Sequence, residues 1–130
     1  MRVLFLLSSL LFFISCQESK TQFATKNICT DQISLSNKNG FTKNYYANSI
    51  NLESIGHYNK GIQQGFWKYY YRNGNIKAEG HYEQGKKQGY WKEYHKNGVV
   101  KSEGHIDQCE PTGYWKFYDK KENLINEINY

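Results

Sequence analysis

The feature that most constrains the fold is a six-residue motif that occurs three times at a spacing of 24 residues. The occurrences are Gly65–Tyr70, Gly89–Tyr94 and Gly113–Tyr118, and each contains glycine, an aromatic residue, Trp and Lys in that order. A fixed period of this length is typical of repeat proteins, in which each unit packs against its neighbours. The sequence therefore predicts a tandem array of small, similar units.

Each unit contains two strand-forming segments separated by a turn. In the first regular unit, the segments 66–71 and 76–82 are rich in residues that favour strands. Asn73-Gly74 lies between them, and Asn97-Gly98 holds the same place in the next unit, so each pair predicts a two-residue hairpin turn. Lys121-Glu122 replaces the pair in the third unit and predicts a looser turn there. We expect an all-β fold, an elongated single-layer antiparallel β-meander of tandem 24-residue hairpins.

The two-residue turn predicts a register. It places Arg72 opposite Asn75 and pairs residues outward from there: Tyr71–Ile76, Tyr70–Lys77, Tyr69–Ala78, Lys68–Glu79, Trp67–Gly80 and Phe66–His81. Three cross-strand ion pairs follow, namely Lys68–Glu79, Lys92–Glu103 and Lys116–Glu127. Trp67 and Trp91 are expected to lie over Gly80 and Gly104. Between units, Tyr82 is expected opposite Trp91 or Gly89, and the pairing with Trp91 would leave a four-residue loop, Gly85–Gln88.

The repeats divide the chain. Three regular units are predicted at 57–80, 81–104 and 105–128, within a repeat region of 57–130. Residues 31–56 form a degenerate first repeat, because Gly40–Tyr46 aligns with the motif at an offset of 25 and has Thr42 at the Trp position. Terminal repeats are expected to be atypical, since they cap the stack. Asp31–Ser36 alternates polar and apolar residues and predicts a short strand. Exposed edge strands are expected at Ile33 and Ile125.

The N-terminus has the features of a secretory signal peptide. A basic start, Met1-Arg2, precedes an apolar run from Val3 to Ile14 that is too short for a lasting membrane span. Phe13-Ile14-Ser15-Cys16 resembles the lipobox of bacterial lipoproteins, with Phe13 where Leu is usual. The resemblance implies removal of residues 1–15 and acylation of Cys16; the alternative is an ordinary signal peptide with an incidental cysteine. Residues 16–30 then form a tether, or around Phe23 a strand along the array.

Two further cysteines, Cys29 and Cys109, follow the lipobox. Outside the cytoplasm they could form a disulfide, or they could both be unpaired, because sequence spacing does not establish bridging distance.

The repeated pattern of glycine, aromatic, Trp, Lys, then Asn-Gly, Ile-Lys, Glu-Gly and a Gly-Lys-Lys turn resembles the MORN-repeat variant. This repeat also occurs in proteins of the YwqK-like antitoxin family. The resemblance extends closely from Leu52 to about Ile128 and loosely over residues 40–51. It implies an elongated sheet of hairpins used as a scaffold or binding surface.

The candidate binding surface consists of six aromatic residues in the repeated motif: Trp67, Trp91, Trp115, Tyr70, Tyr94 and Tyr118. The Trp ladder could bind sugar rings or apolar side chains of a partner protein, or it could simply hold a coreless sheet together. Lys86-Lys87 could meet an anionic lipid or polymer, or be a solvated turn.

No cofactor, metal site or enzymatic activity is expected. The equivalent residues His57, His81 and His105 lie two strands apart, about 9.6 Å at ~4.8 Å per strand, which is too far for one zinc ion. The sequence contains no P-loop, HExxH or nucleophile-base motif. The net charge is +5, but the basic residues alternate with acidic ones and do not form a block, so no nucleic-acid surface is predicted.

The sequence thus predicts a non-enzymatic protein of the cell envelope, anchored by lipid, in the outer membrane if the source is Gram-negative. Its expected role is a scaffold for an unknown protein partner. The alternatives are a module that binds glycans or cell wall through the Trp ladder, and a component of a YwqK-like antitoxin system.

Overall fold

The computed structural model describes residues 37–130, which form one antiparallel sheet of eight strands. The strands are β1 (Gly40–Tyr45), β2 (Leu52–Asn59), β3 (Ile62–Tyr70), β4 (Ile76–Glu83), β5 (Lys86–Tyr94), β6 (Val100–Asp107), β7 (Glu110–Tyr118) and β8 (Leu124–Asn129). Their spatial order is their sequence order, because every connection is a short hairpin. The all-β meander predicted from the sequence is confirmed. The strand predicted at Asp31–Ser36, with Ile33, lies outside the described residues.

The central part of the predicted register is confirmed. In β3 and β4, Trp67 pairs with Gly80 and Lys68 with Glu79, and the same pairs recur one repeat later. The three predicted ion pairs form, with nitrogen–oxygen distances of 3.4 Å for Lys68–Glu79 and Lys92–Glu103, and 4.0 Å for Lys116–Glu127. Each is partly exposed, so each contributes at most about 1 kcal/mol.

The predicted two-residue turn at Asn73-Gly74 is wrong. Tyr71 donates its backbone N–H to the Asn75 carbonyl at 2.8 Å, which encloses a three-residue loop. Gly74 has φ +88°, whereas Asn73 is not among the residues with positive φ. A two-residue type I′ turn needs positive φ at both central positions, and the observed loop is the alternative in which one glycine follows a type I turn. Tyr70 therefore pairs with Ile76 instead of Lys77.

A β-bulge restores the predicted register beyond this turn. The pairing shifts between Tyr69 and Tyr70, which leaves Lys77 as the extra residue, so that Tyr69 again faces Ala78. The observed turn is one residue longer than predicted, and the bulge adds one unpaired residue to β4. The two shifts offset each other, so the pairs beyond the bulge are the predicted ones.

The turn of the third unit is not looser, in contrast to the prediction. Asp119 N–H donates to the Asn123 carbonyl at 2.9 Å, as Tyr71 does to Asn75. Glu122 adopts φ +67° at the place of Gly74. The Asp119 carboxylate accepts the backbone N–H groups of Lys121 and Asn123, which stabilises the loop without a glycine.

The predicted four-residue loop Gly85–Gln88 is also wrong. Tyr82 pairs with Lys87 and Glu83 with Lys86, so the connection is the two-residue turn Gln84-Gly85. Both residues have positive φ, 50° and 79°, as a type I′ turn requires. The type I′ turns of this chain thus connect the units, whereas the Asn-Gly loops lie within them.

The Trp rings lie over glycines of the preceding strand, not of the following one. A Cβ atom at Gly56 would lie 2.2 Å from Trp67, one at Gly80 2.3 Å from Trp91, and one at Gly104 2.4 Å from Trp115. The prediction that Trp67 covers Gly80 and Trp91 covers Gly104 is therefore wrong, although the backbone pairing is right. Each ring packs across the boundary between two units and so joins them.

Candidate functional site

The three Trp side chains of the predicted binding surface are buried. Trp67, Trp91 and Trp115 are 0%, 2% and 9% exposed, and they form one apolar cluster with Tyr58, Tyr82 and Ile106. Each indole N–H donates to the backbone carbonyl of a repeat histidine, at 3.2 Å to His57, 3.1 Å to His81 and 2.9 Å to His105. A buried and hydrogen-bonded indole presents no open face to a ligand. The Trp ladder therefore holds neighbouring units together.

Two of the three tyrosines of the predicted surface, Tyr94 and Tyr118, belong to a polar network on the opposite face. The Tyr94 hydroxyl donates to the Glu79 carboxylate at 2.6 Å, and Tyr118 donates to Glu103 at 2.8 Å. Tyr70 is half-buried, and its carbonyl accepts the Tyr46 hydroxyl at 2.6 Å. The side chains of Tyr94 and Tyr118 connect one unit to the next, and the six predicted residues do not form a single surface.

The electrostatics of this network favour the ionised form of Glu103. Burial and the hydrogen bond to Glu79 raise the pKa of Tyr94 well above its usual value. Burial alone would raise the pKa of Glu103, but hydrogen bonds from Tyr90 and Tyr118 and the Lys92 ammonium outweigh it, so the pKa of Glu103 is lowered. An ionised carboxylate held by neutral tyrosines and a lysine is a structural arrangement and not a proton donor tuned for neutral pH.

Four exposed rings occupy the position immediately before the Trp position in successive units. They are Phe41, Phe66, Tyr90 and Tyr114, with exposed fractions of 67%, 45%, 44% and 70%. Neighbouring positions on a strand point to opposite faces, so these rings lie on the face away from the buried Trp cluster. We call these four residues the aromatic row.

Histidines and lysines flank the aromatic row. Phe66 packs edge-on against His81 with ring centroids 5.1 Å apart, and Tyr90 packs against His105 at 5.2 Å. The ammonium groups of Lys68 and Lys92 each lie 5.7 Å from the centroid of the neighbouring row ring. The pattern recurs because all of these residues hold fixed places in the repeat. The row is thus a periodic surface of exposed rings beside cations.

The other predicted positions are placed as follows. His57, His81 and His105 are exposed and lie on alternate strands. Within residues 37–130, no group of three His, Cys, Asp or Glu side chains is placed to hold a metal ion. Lys86 is exposed, but Lys87 is buried with its ammonium 4.4 Å from the Trp91 ring centroid. Only Lys86 of this pair is exposed to solvent, so the interpretation of Lys86-Lys87 as a solvated turn is wrong for Lys87.

The predicted lipidation site and half of the predicted disulfide cannot be located, because Cys16 and Cys29 lie outside the described residues. Cys109 is disulfide-bonded. It occupies the second position of a type I′ turn with φ +78°, where the equivalent turns have Gly61 and Gly85 at 79°. The pairing of Cys29 with Cys109 stays a prediction. In the described part of the chain no helix is long and apolar enough to cross a membrane.

Sequence reasoning missed the aromatic row. The predicted register pairs Phe66 with His81, but residue type alone favours Trp as the binding residue. The available signal was that a one-layer sheet buries its largest apolar rings first, so the rings on the other face remain exposed.

Two segments of the chain match a family model, the MORN repeat variant. The matched residues are 63–84 and 87–108, each of which spans one hairpin, β3–β4 and β5–β6. The two matches are 22 residues long and together cover about a third of the chain, and their starts differ by 24 residues, which is the period seen in the sequence. Comparisons with curated proteins and with solved structures give no match.

Proposed function

We propose that this protein is a non-enzymatic, lipid-anchored scaffold of the cell envelope that binds another protein through its aromatic row. The observation that carries the proposal is the recurrence of an exposed ring at one repeat position, Phe41, Phe66, Tyr90 and Tyr114. Exposed aromatic residues in a contiguous surface are typical of protein interfaces. The similarity to the MORN repeat variant supports an interaction module, since repeat sheets offer extended surfaces.

The proposed anchor is Cys16, acylated after removal of residues 1–15. Several acyl chains provide durable anchoring, at about 0.8 kcal/mol per buried methylene. Fractionation of cells with mass spectrometry of the N-terminal peptide tests this part. We expect acylated Cys16 in the membrane fraction and release of a Cys16→Ser variant from it. Recovery of the unprocessed Met1 peptide in the cytoplasm would overturn the anchor and favour a cytoplasmic role such as that of an antitoxin.

Capture of envelope proteins with three forms of the chain tests the binding surface. The forms are wild type, a Phe66→Ala/Tyr90→Ala double variant and an Ile125→Ala control, which removes an exposed apolar side chain outside the row. We expect wild type and Ile125→Ala to retain the same partner and the double variant to lose it while keeping its circular dichroism spectrum. Equal capture by all three would overturn the assignment of binding to the row.

A role in glycan binding through the Trp ladder has less support. Trp67, Trp91 and Trp115 face the buried cluster, whereas sugar rings stack on exposed ring faces. The YwqK-like antitoxin alternative has no feature of the described residues that favours it over the scaffold.

A further inference from the structure

The spacing of the aromatic row restricts which kind of ligand can follow it. Phe66, Tyr90 and Tyr114 lie on β3, β5 and β7, so neighbouring rings are two strands apart. At about 4.8 Å per strand, one ring follows another at about 9.6 Å. A ligand that contacts every ring in the same way must therefore repeat its own structure at about this distance.

Among the regular conformations of a peptide, polyproline II fits this spacing best. It has three residues per turn and a rise of about 3.1 Å, so equivalent side chains recur about every 9.3 Å. The mismatch is about 0.3 Å per unit, which accumulates to only about 0.6 Å over three rings. Side chains on one face of an extended strand recur about every 6.6 Å, which is out of step by the second ring. Side chains on one face of an α-helix recur after seven residues, or about 10.5 Å. That distance differs from the ring spacing by about three times as much as the polyproline II repeat does.

The charges beside the row favour an acidic ligand. Lys68 and Lys92 have 38% and 36% of their side chains exposed, whereas their partners Glu79 and Glu103 have 20% and 18%. The cation is thus the more accessible member of each pair, and Lys116 repeats the position at the third ring. The lysines recur with the same spacing as the rings. A ligand with one carboxylate per turn would be complementary in charge to this edge of the row.

The orientation of the rings favours a peptide over a sugar. Phe66 and Tyr90 each have a histidine packed edge-on at one side and a lysine ammonium over the ring. Sugar rings need an open ring face on which to stack, whereas the pyrrolidine rings of proline fit between side chains that project from a sheet. Polyproline II also leaves its backbone carbonyls unpaired, so that the adjacent His81 and His105 can donate to them.

We infer that the aromatic row is a docking surface for an acidic, proline-rich segment of a partner protein in the polyproline II conformation, with one turn of ligand per repeat. This inference rests on the proposed function and specifies its partner by chemistry. Adjacent strands rotate by roughly 20–25°, so the row turns gradually, and a ligand without internal hydrogen bonds can follow that turn. Recognition is then modular, since each repeat contributes one ring and one lysine.

Titration of the purified full chain in detergent with synthetic peptides tests the inference. The probes are (Pro-Pro-Glu)n with n from two to five, and binding is followed by isothermal titration calorimetry. Because each added turn reaches one more ring and lysine, we expect the affinity to rise several-fold per turn and to stop rising when the row is covered, at n of three or four. No binding of any of these peptides, or affinity independent of n, would overturn the inference.

Matched controls separate conformation, charge and the identity of the surface. (Gly-Ser-Glu)4 has the same charge without the conformation, and (Pro-Pro-Lys)4 has the conformation with the opposite charge; both are expected to bind at least tenfold more weakly. Tyr90→Ala should reduce affinity for (Pro-Pro-Glu)4 about tenfold or more, and Ile125→Ala should leave it unchanged. Equal binding of (Gly-Ser-Glu)4 would overturn the conformational part of the inference. If Tyr90→Ala binds (Pro-Pro-Glu)4 as tightly as wild type, the peptide site lies outside the aromatic row and the inference is overturned.

Chitotetraose provides the glycan arm of the same experiment. Binding of this oligosaccharide that Tyr90→Ala abolishes, without binding of the peptides, would overturn the inference in favour of a glycan surface. If capture of an envelope protein depends on Phe66 and Tyr90 while (Pro-Pro-Glu)4 does not bind, the proposed function stands and the inference fails. If neither depends on the row, both fail.

Discussion

The contact between Gly80 and Trp91 allows a quantitative test of how the repeats are joined. A Cβ atom at residue 80 would lie 2.3 Å from Cδ2 of Trp91 and 2.4 Å from Cε2. Carbon atoms in ordinary contact are about 3.5–4.0 Å apart, so the ring must move by more than 1 Å or the strands must separate. Trp91 is 2% exposed and has little room to move.

The cost of Gly80→Ala follows from this geometry. Overpacking of a well-packed site costs typically 1–3 kcal/mol. Displacement of the ring also weakens the 3.1 Å hydrogen bond from the Trp91 indole to the His81 carbonyl, at about 1 kcal/mol. We therefore expect Gly80→Ala to lower the free energy of unfolding by about 2–4 kcal/mol. Gly74→Ala serves as a control: it introduces a Cβ into open space at φ +88° and should cost about 1–2 kcal/mol.

Urea denaturation of the chain without residues 1–16, combined with a double-mutant cycle, is the assay. Trp91→Phe removes part of the ring that a Cβ at residue 80 would meet, so the cost of Gly80→Ala should fall by at least 1 kcal/mol in that background. Trp67→Phe should leave the cost unchanged. Coupling of Gly80 with Trp67 instead of Trp91 would refute the packing of each Trp against the preceding strand.

Three further predictions concern a turn, a titration and a covalent bond. Glu122→Gly should raise the free energy of unfolding by up to about 1 kcal/mol in urea denaturation, because glycine adopts φ +67° without strain; a loss of stability would contradict the assigned turn. Burial and the Glu103 carboxylate raise the pKa of Tyr90 to about 12, so the folded state holds this proton more tightly than the unfolded state, whose value is 10.0. Stability should therefore fall as pH rises from 10 towards 12, and thermal melts should show a smaller fall for Tyr90→Phe; an equal fall would remove this cause. Peptide mapping without reductant should find Cys29 joined to Cys109, and reduction should destabilise the chain by up to about 4.5 kcal/mol, the loop-entropy value for a loop of roughly 80 residues; a different partner for Cys109 would refute the pairing.

The register could be predicted from the sequence only because two local features compensate. The 24-residue period locates the hairpins, the Asn-Gly pair marks the turn in the first two regular units, and the predicted pairing of Lys68 with Glu79 is confirmed. An Asn-Gly pair fits more than one hairpin turn, and the local sequence does not show which one forms. The Asn73 side chain accepts the Asn75 N–H at 3.2 Å and donates to the Lys96 carbonyl of the next unit at 3.0 Å, so it stabilises the three-residue loop and ties it to the next unit. That contact lies 23 residues away and is visible only in the folded sheet.

The exposed aromatic row could not be predicted from residue type for a related reason. Pairing assigns Trp67 to a face, but it does not show whether the ring leans towards the preceding or the following strand. Gly56 on the preceding strand admits the Trp67 ring, whereas Gly80 on the following strand is covered by Trp91. Once the Trp rings are buried between units, the exposed rings are those one residue earlier, such as Phe66 and Tyr90. Exposure of a side chain depends on the neighbouring strands and not on its own identity.

The burial of the Trp ladder is the central claim, because the proposed binding row lies on the opposite face. Hydrogen exchange of the three indole N–H groups, followed by NMR, measures it most directly. Each indole donates to a histidine carbonyl at 2.9–3.2 Å from a buried position, so we predict three indole resonances that exchange slowly, over hours or longer. Exchange of all three within the dead time, as for free tryptophan, would show that Trp67, Trp91 and Trp115 are open to solvent and would contradict the account.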